Sequence, residues 1–499
     1  MYIPLLIVAC ALASVGYSAP LSNADNPSWS SYVKGMAKAP TSAKEQAPKW
    51  FCMEYNDPLD LSNRREWPCK AMTKPNATDA SRLTRRQQNG NNQFRIRFQC
   101  RGVQKQICDK AQNEFELAGQ ILSASLQLSQ PLTVDAQFFS FCRELGGNCQ
   151  NGRDNRLGFA SPARMLPMQD DDGVVRMFPQ ALVKQLGVQG AQMASNDIIA
   201  RFNTDFPYRF VEDNQQNSGR QQIDFLEVVM HELTHGLGFL SLWSDSVARG
   251  ANLLTPQVNV RQSSNGVPVI QGFVESAFDR FMVTVPERQP MTKLTQQLSQ
   301  VNGGRPIAAR SLQEFASILA NSPQGNIAAQ LGQKGVGGAR GQGLAFQASR
   351  EAGGKLVLLE TSLNPFVAGS SVSHVDRRSH LRSKDRLMMF SVDPSIAFEN
   401  SLRQFGNPVG PELTAVLSSI GYKVQPANAQ TVIDLVNKAK RNVPGANRVV
   451  SKNNNVGNML NSNSIENSAN KTQVNKTQQN NKDGKTQSSG GLKRGNRRC

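Results

Sequence analysis

His231 and His235 stand four apart around Glu232 in the stretch VVMHELTHGLGFLSLW, residues 228–243. Side chains four apart share one face of an α-helix, so both imidazoles can reach a single cation while the glutamate projects beside them. The trio predicts metal-assisted hydrolysis on one catalytic Zn2+, with a third protein ligand still to be found. Zinc leaves one coordination position for water and lowers that water's pKa toward ~7. Glu232 is the expected general base, taking the proton of the attacking water and passing it to a leaving amine, with a protein or peptide as substrate. The bland alternative is a solvated helix face or a satisfied core pair. It is weighed against an apolar setting and a chain that contains only four histidines.

The third ligand has no local candidate. Ser241 occupies the place where H-E-x-x-H-x-x-G-x-x-H would put its last histidine, which excludes the compact version of such a site. Glu275 in FVESAFDRF forms an E-x-x-x-D pair with Asp279, the pattern of the gluzincins, in which the aspartate orients a ligating histidine. His374 in GSSVSHVD follows His235 after 138 intervening residues and is itself followed by LMMF at 387–390. His380 lies close enough to His374 in sequence to be an alternative ligand.

Taken together, His231, Glu232, His235, Gly238, Phe239, Ser373, His374, Asp376 and Met388 or Met389 resemble the leishmanolysin-type metzincins and their secreted microbial relatives. In that group a long insertion separates H-E-x-x-H-x-x-G-F from a histidine in an S-H-x-[DE] context, and a methionine turn follows. The resemblance covers roughly residues 90 to 424, patchily, and hardly touches 240–355. It implies that His374 is the third ligand and that Met388 and Met389 pack beneath the metal without binding it. It also implies that Ile198, Ile199, Ala200, Arg201 and Phe202 of NDIIARFN form the edge strand to which an extended peptide substrate adds. GPELTAVLSSIGY, residues 410–422, is similar to the helix that closes such domains.

Elements able to hold these residues are legible nearby. Phe94, Ile96 and Phe98 alternate with polar partners over 94–100, as in a half-buried strand. Ala111, Phe115, Ala118, Leu122 and Leu126 repeat at helical spacing, and further strands are predicted at 132–142 and 196–203. Asp224 and Glu227 form a D-x-x-E capping pattern ahead of His231, and Gly236 and Gly238 weaken or end that helix. The expected fold class is α+β. It is a zincin-like, metzincin-like catalytic domain with an N-terminal mixed sheet and helices, an active-site helix and a smaller C-terminal subdomain.

The flanks set the expected organisation. Residues 1–18 read as a secretory signal and 19–86 as a polar segment, a possible pro-region ending at Arg85-Arg86. Residues 87–424 form the peptidase domain, with a long insertion at 236–373 that supplies loops around the cleft. Residues 425–499 are a helix and then a disordered basic tail rich in Asn, Gln and Lys, with too few apolar side chains to fold. The net charge is +18, and from Val443 onward ten Lys/Arg face only Glu466 and Asp483, about +8 from the tail alone. That tail, with the 377–386 cluster, is expected to engage polyanions. A rival reading is a non-catalytic zincin scaffold that binds them. No aromatic-basic interleaving accompanies the charge, so specific nucleic-acid recognition is not expected. No stretch after the leader is apolar for 18 residues, so no transmembrane segment is expected and the protein reads as secreted and extracellular. Cys52, Cys69, Cys100, Cys108, Cys142 and Cys149 then predict three disulfides, with nearest-neighbour pairing, and Asn76, Asn470 and Asn475 are glycan acceptor positions.

Overall fold

The first nine strands build two sheets, one of which carries the HELTH helix. They are β1 (Trp50–Tyr55), β2 (Arg64–Cys69), β3 (Met72–Thr73), β4 (Phe94–Cys100), β5 (Leu132–Phe139), β6 (Gly158–Pro162), β7 (Arg164–Gln169), β8 (Val175–Pro179) and β9 (Ile198–Asn203). The computed structural model describes residues 50–58, 64–75, 92–146, 149, 155–213, 222–245, 247, 253–263, 267–335, 342–394 and 397–441. The leader, Arg85-Arg86, the three glycan acceptor positions and the basic tail lie outside the described residues.

β4, β5 and β9 run parallel, and β6 joins β9 antiparallel, in the order β4-β5-β9-β6. Phe94, Leu132, Val134, Ala136, Phe138, Ile198, Ala200 and Phe202 are buried together in one core. α1 (Lys105–Ser125) and α2 (Phe225–Gly236) pack on that core, with Phe115 of α1 edge-on to Phe202 at 4.9 Å and Phe225 of α2 at 5.0 Å from Phe138. The strand expected to lie at the edge, carrying Ile198, Ile199, Ala200, Arg201 and Phe202, is therefore interior. β6 holds the edge. Chain order hides this, because β6 precedes β9 in sequence but adds to its far side.

β1 and β2 form an antiparallel hairpin closed by the Cys52–Cys69 disulfide. β1 and β3 pair with β7, which also pairs with β8. Met53 and Tyr55 pack in a small core with Met165, Ile199 and Leu242. The described part of the expected pro-region is thus strand, joined to the body by backbone pairing and apolar burial. The other disulfides, Cys100–Cys108 and Cys142–Cys149, also link nearest neighbours.

The 236–373 stretch is more than loops. Gln257–Gln262, Pro268–Val274 and Ile307–Ala308 make one sheet, and Met282–Val285, Gly343–Gln347 and Leu356–Leu358 make a second. After His374 the chain is mainly helical. α3 (Pro411–Ile420) and α4 (Ala429–Arg441) follow in order, and α4 packs on α1. Among the described residues no helix is long and apolar enough to cross a membrane.

Candidate metal centre

α2 is buried along its whole length and is seated by two glycines. A Cβ on Gly236 would lie 2.4 Å from Cγ2 of Ile198, so only glycine lets the end of α2 rest directly on β9. Gly238 has φ +112° and a Cβ there would meet Cγ of Pro179 at 2.8 Å, so this residue alone permits the chain's exit from the helix. That exit brings the Phe239 carbonyl back over the last turn, where it accepts a hydrogen bond from Nδ1 of His235 at 2.7 Å. The predicted capping box does not form. Asp224 is at the N-cap, but its carboxylate accepts from the Phe398 amide at 2.9 Å, and Glu227 pairs with Arg386 at 3.3 Å.

His374 arrives from the second sheet of the insertion. The strand Leu356–Leu358 leads to Glu360, whose amide donates to the His374 carbonyl at 2.8 Å and whose carbonyl accepts from Val372 at 2.9 Å. The buried Glu360 carboxylate also receives the amides of Ser362 and Arg377. Val372 adopts φ +58°, a left-handed conformation that is unusual for a β-branched residue and marks strain held by its surroundings. The turn lets the Ser370 carbonyl accept from Nδ1 of His374 at 2.9 Å.

The Nε2 atoms of His231, His235 and His374 form a triangle with all three sides 3.2 Å. Every Nδ1 faces a backbone carbonyl, that of Leu387 serving His231 at 2.6 Å, so the protons sit on Nδ1 and each Nε2 presents a lone pair. Burial holds the imidazoles neutral. It pulls His231 down to about 4, and burial with the His231 charge pulls His235 to about 3. Burial, then His235 and His231, push His374 well below the usual range. Three converging lone pairs repel unless a cation lies among them. Zinc–nitrogen bonds of about 2.0–2.1 Å at tetrahedral angles separate the nitrogens by about 3.3–3.4 Å, so this donor set fits such an ion. The carbonyls on Nδ1 are the outer contacts that fix the tautomer and aim of ligating histidines.

Glu232 is fully buried one residue after His231, and its Cγ would lie 3.3 Å from a Cβ on Gly158 of β6. The turn Arg386–Met388 packs on α2, and Met388 and Met389 are both buried. Besides supplying the Leu387 carbonyl, this turn receives the Val375 amide on the Met388 carbonyl at 2.9 Å, which ties it to the residue after His374.

The alternative ligands lie elsewhere. Glu275 accepts from Thr292 at 2.9 Å and Thr295 at 2.5 Å and pairs with Arg176 at 3.3 Å, a closed buried network. His380 donates from Nδ1 to the Asp376 carbonyl at 2.7 Å and from Nε2 to Glu412 at 2.8 Å, so neither nitrogen has a lone pair for a metal. Asp170, Asp171 and Asp172 also cluster, but Lys74, Arg176 and Arg280 neutralise them. Glu360, Gly158 and Arg386 carry no motif, and only their distant partners reveal them.

A mixed α+β body therefore holds a buried three-histidine centre on α2 and one long-range turn. The chain belongs to the SPBPB7E8-like family, whose signature spans residues 52–439 and so includes every member of the centre. It is 26% identical over 345 residues to an uncharacterized protein, PB7E8.01, of Schizosaccharomyces pombe, a match covering 64% of this chain. The chain spans 59% of the length of that curated relative. No solved structure matches the chain.

Proposed function

We propose that the protein is a secreted zinc-dependent endopeptidase with a metzincin-like site, in which His231, His235 and His374 hold one zinc ion and Glu232 is the general base. The observation that carries the reading is the 3.2 Å triangle of unprotonated Nε2 atoms with a buried glutamate on the same helix. Bound there, zinc supplies Lewis acidity to the scissile carbonyl and acidity to the attacking water. Glu232 takes the water's proton and delivers it to the leaving nitrogen, its position set by α2 and by the bare face of Gly158. The three carbonyls on Nδ1 keep the imidazole lone pairs aimed inward throughout.

β6, though its residues are buried, takes the place of the strand first expected as the edge to which an extended peptide would add. Asn203 donates to the Leu157 carbonyl and Ala163 to the Asp197 carbonyl, both at 2.9 Å, so the odd-numbered residues from 157 to 163 bond to the β9 side. The amides and carbonyls of Gly158 and Ala160 face away from β9, and an added strand takes up such groups.

The test is hydrolysis of a mixed peptide library by wild type, by Glu232→Gln and by wild type with a chelator. The expected result is cleavage by wild type alone, with Glu232→Gln slowed by about 10²–10⁴-fold. No cleavage by wild type would replace the peptidase reading with that of a binding protein, and equal cleavage by Glu232→Gln would remove Glu232 as its base.

A further inference from the structure

We propose that Ser241 and Asp279 are positioning residues of the metal centre, clamping the segment that leaves α2 against the turn that carries His374. The fully buried Asp279 accepts the Ser241 hydroxyl on Oδ1 at 2.7 Å, and on Oδ2 the amides of Leu242 at 3.0 Å and Ser276 at 2.8 Å. The Ser241 hydroxyl in turn accepts from the Trp243 amide at 3.1 Å. The Ser276 hydroxyl donates to the Leu240 carbonyl at 3.0 Å, so residues 240–242 are gripped on three successive positions. From this segment the Ser241 amide donates to the hydroxyl of Ser373 at 3.2 Å, and Ser373 immediately precedes His374.

One hydrogen-bonded path therefore joins two halves of the centre. At its near end Phe239, two residues before Ser241, supplies the carbonyl that aims His235. At its far end lies the backbone of His374. The E-x-x-x-D pair divides its roles, with Glu275 closing a network on Arg176, Thr292 and Thr295 while Asp279 braces the site. Ser241, where a compact site would have its third histidine, anchors the segment facing the distant one instead.

This proposal rests on the reading of the triad as a zinc site. The test uses full-length protein and three measurements: zinc affinity by competition with a chromophoric chelator, the visible spectrum of the Co2+ form, and urea stability of the metal-free form. Ser241→Ala and Asp279→Asn are expected to weaken zinc by about 10–100-fold and to alter the Co2+ bands. The double variant should be no weaker than the weaker single one, because the residues act as a unit. Thr292→Val, which loosens the Glu275 network, is expected to lower metal-free stability and leave both metal readouts unchanged. Should Asp279→Asn not fold, Ser241→Ala decides alone. Wild-type affinity and spectrum in Ser241→Ala would reduce the brace to a structural contact. Absence of zinc binding by wild type would instead remove the triad reading and this proposal with it.

Discussion

The four imidazoles of the chain divide by protonation. Three carry a proton only on Nδ1 and turn bare Nε2 atoms toward one another, whereas His380 faces an acceptor with both nitrogens, an arrangement that favours its cationic form. Burial pulls the His380 pKa down, but the bonds to Glu412 and the Asp376 carbonyl, with the Glu412 and Asp385 charges, more than offset it and raise it above 6.5. A raised folded-state value means stability that is complete below 6.5 and lost as pH rises through the folded value. His380→Gln should therefore destabilise the protein more at pH 6 than at pH 9 in urea titrations; an equal loss at both would contradict the cationic assignment. The triad has the opposite sign. In the metal-free protein the depressed values of His231 and His235 favour folding above 6.5, and that contribution falls away as pH drops toward about 4 and about 3. At this scale the sequence was informative for His231, Glu232 and His235, because a four-residue spacing is sufficient to place them on one helical face. His374 was singled out by its S-H-x-D context and the methionines after it, and the fold brings it to the other two histidines. Glu275 offered a weaker, alternative pattern, and no local signal discloses a partner such as Arg176 that lies 99 residues away.

Elements position the site by close contact more than by propensity. α2 sits on β9 because Gly236 leaves no room for a side chain against Ile198, so Gly236→Ala is expected to cost about 1–3 kcal/mol in denaturation experiments. Ile198→Ala in the same chain should restore part of that loss; strictly additive losses would contradict the contact. Sequence periodicity located β4, β5 and α1 well, since each buries one regular face, whereas β9, buried on both faces, is marked only by the turn that bounds it. The resemblance misplaced the edge of the sheet, and period-two alternation offers no correction, because it reports which face is buried and not which neighbour a strand takes. The D-x-x-E pattern likewise misled. Asp224 and Glu227 are engaged by Phe398 and Arg386, both more than 150 residues downstream, and such tertiary partners override a local cap.

Over the whole molecule, the N-terminal strands are part of the fold that carries the centre. Residues 50–75 gave no periodic signal, yet the Cys52–Cys69 hairpin pairs with β7 and buries Met53 and Tyr55 beside Ile199. Since that disulfide is internal to the segment, a protease nick between residues 76 and 91 should leave the piece bound in native gel filtration. The same piece should separate under denaturing conditions without reductant; dissociation in native buffer would contradict its structural role. The tail acts independently on this account. Removing residues 443–499 should abolish salt-sensitive binding to a polyanion such as heparin while leaving zinc affinity unchanged. The central claim is the identity of the third ligand, and zinc stoichiometry of purified wild type, His374→Ala and Glu275→Ala tests it most directly. The account predicts one zinc per chain in wild type and in any folded Glu275→Ala, and none retained by His374→Ala. Stoichiometric zinc kept by His374→Ala and lost by folded Glu275→Ala would contradict it.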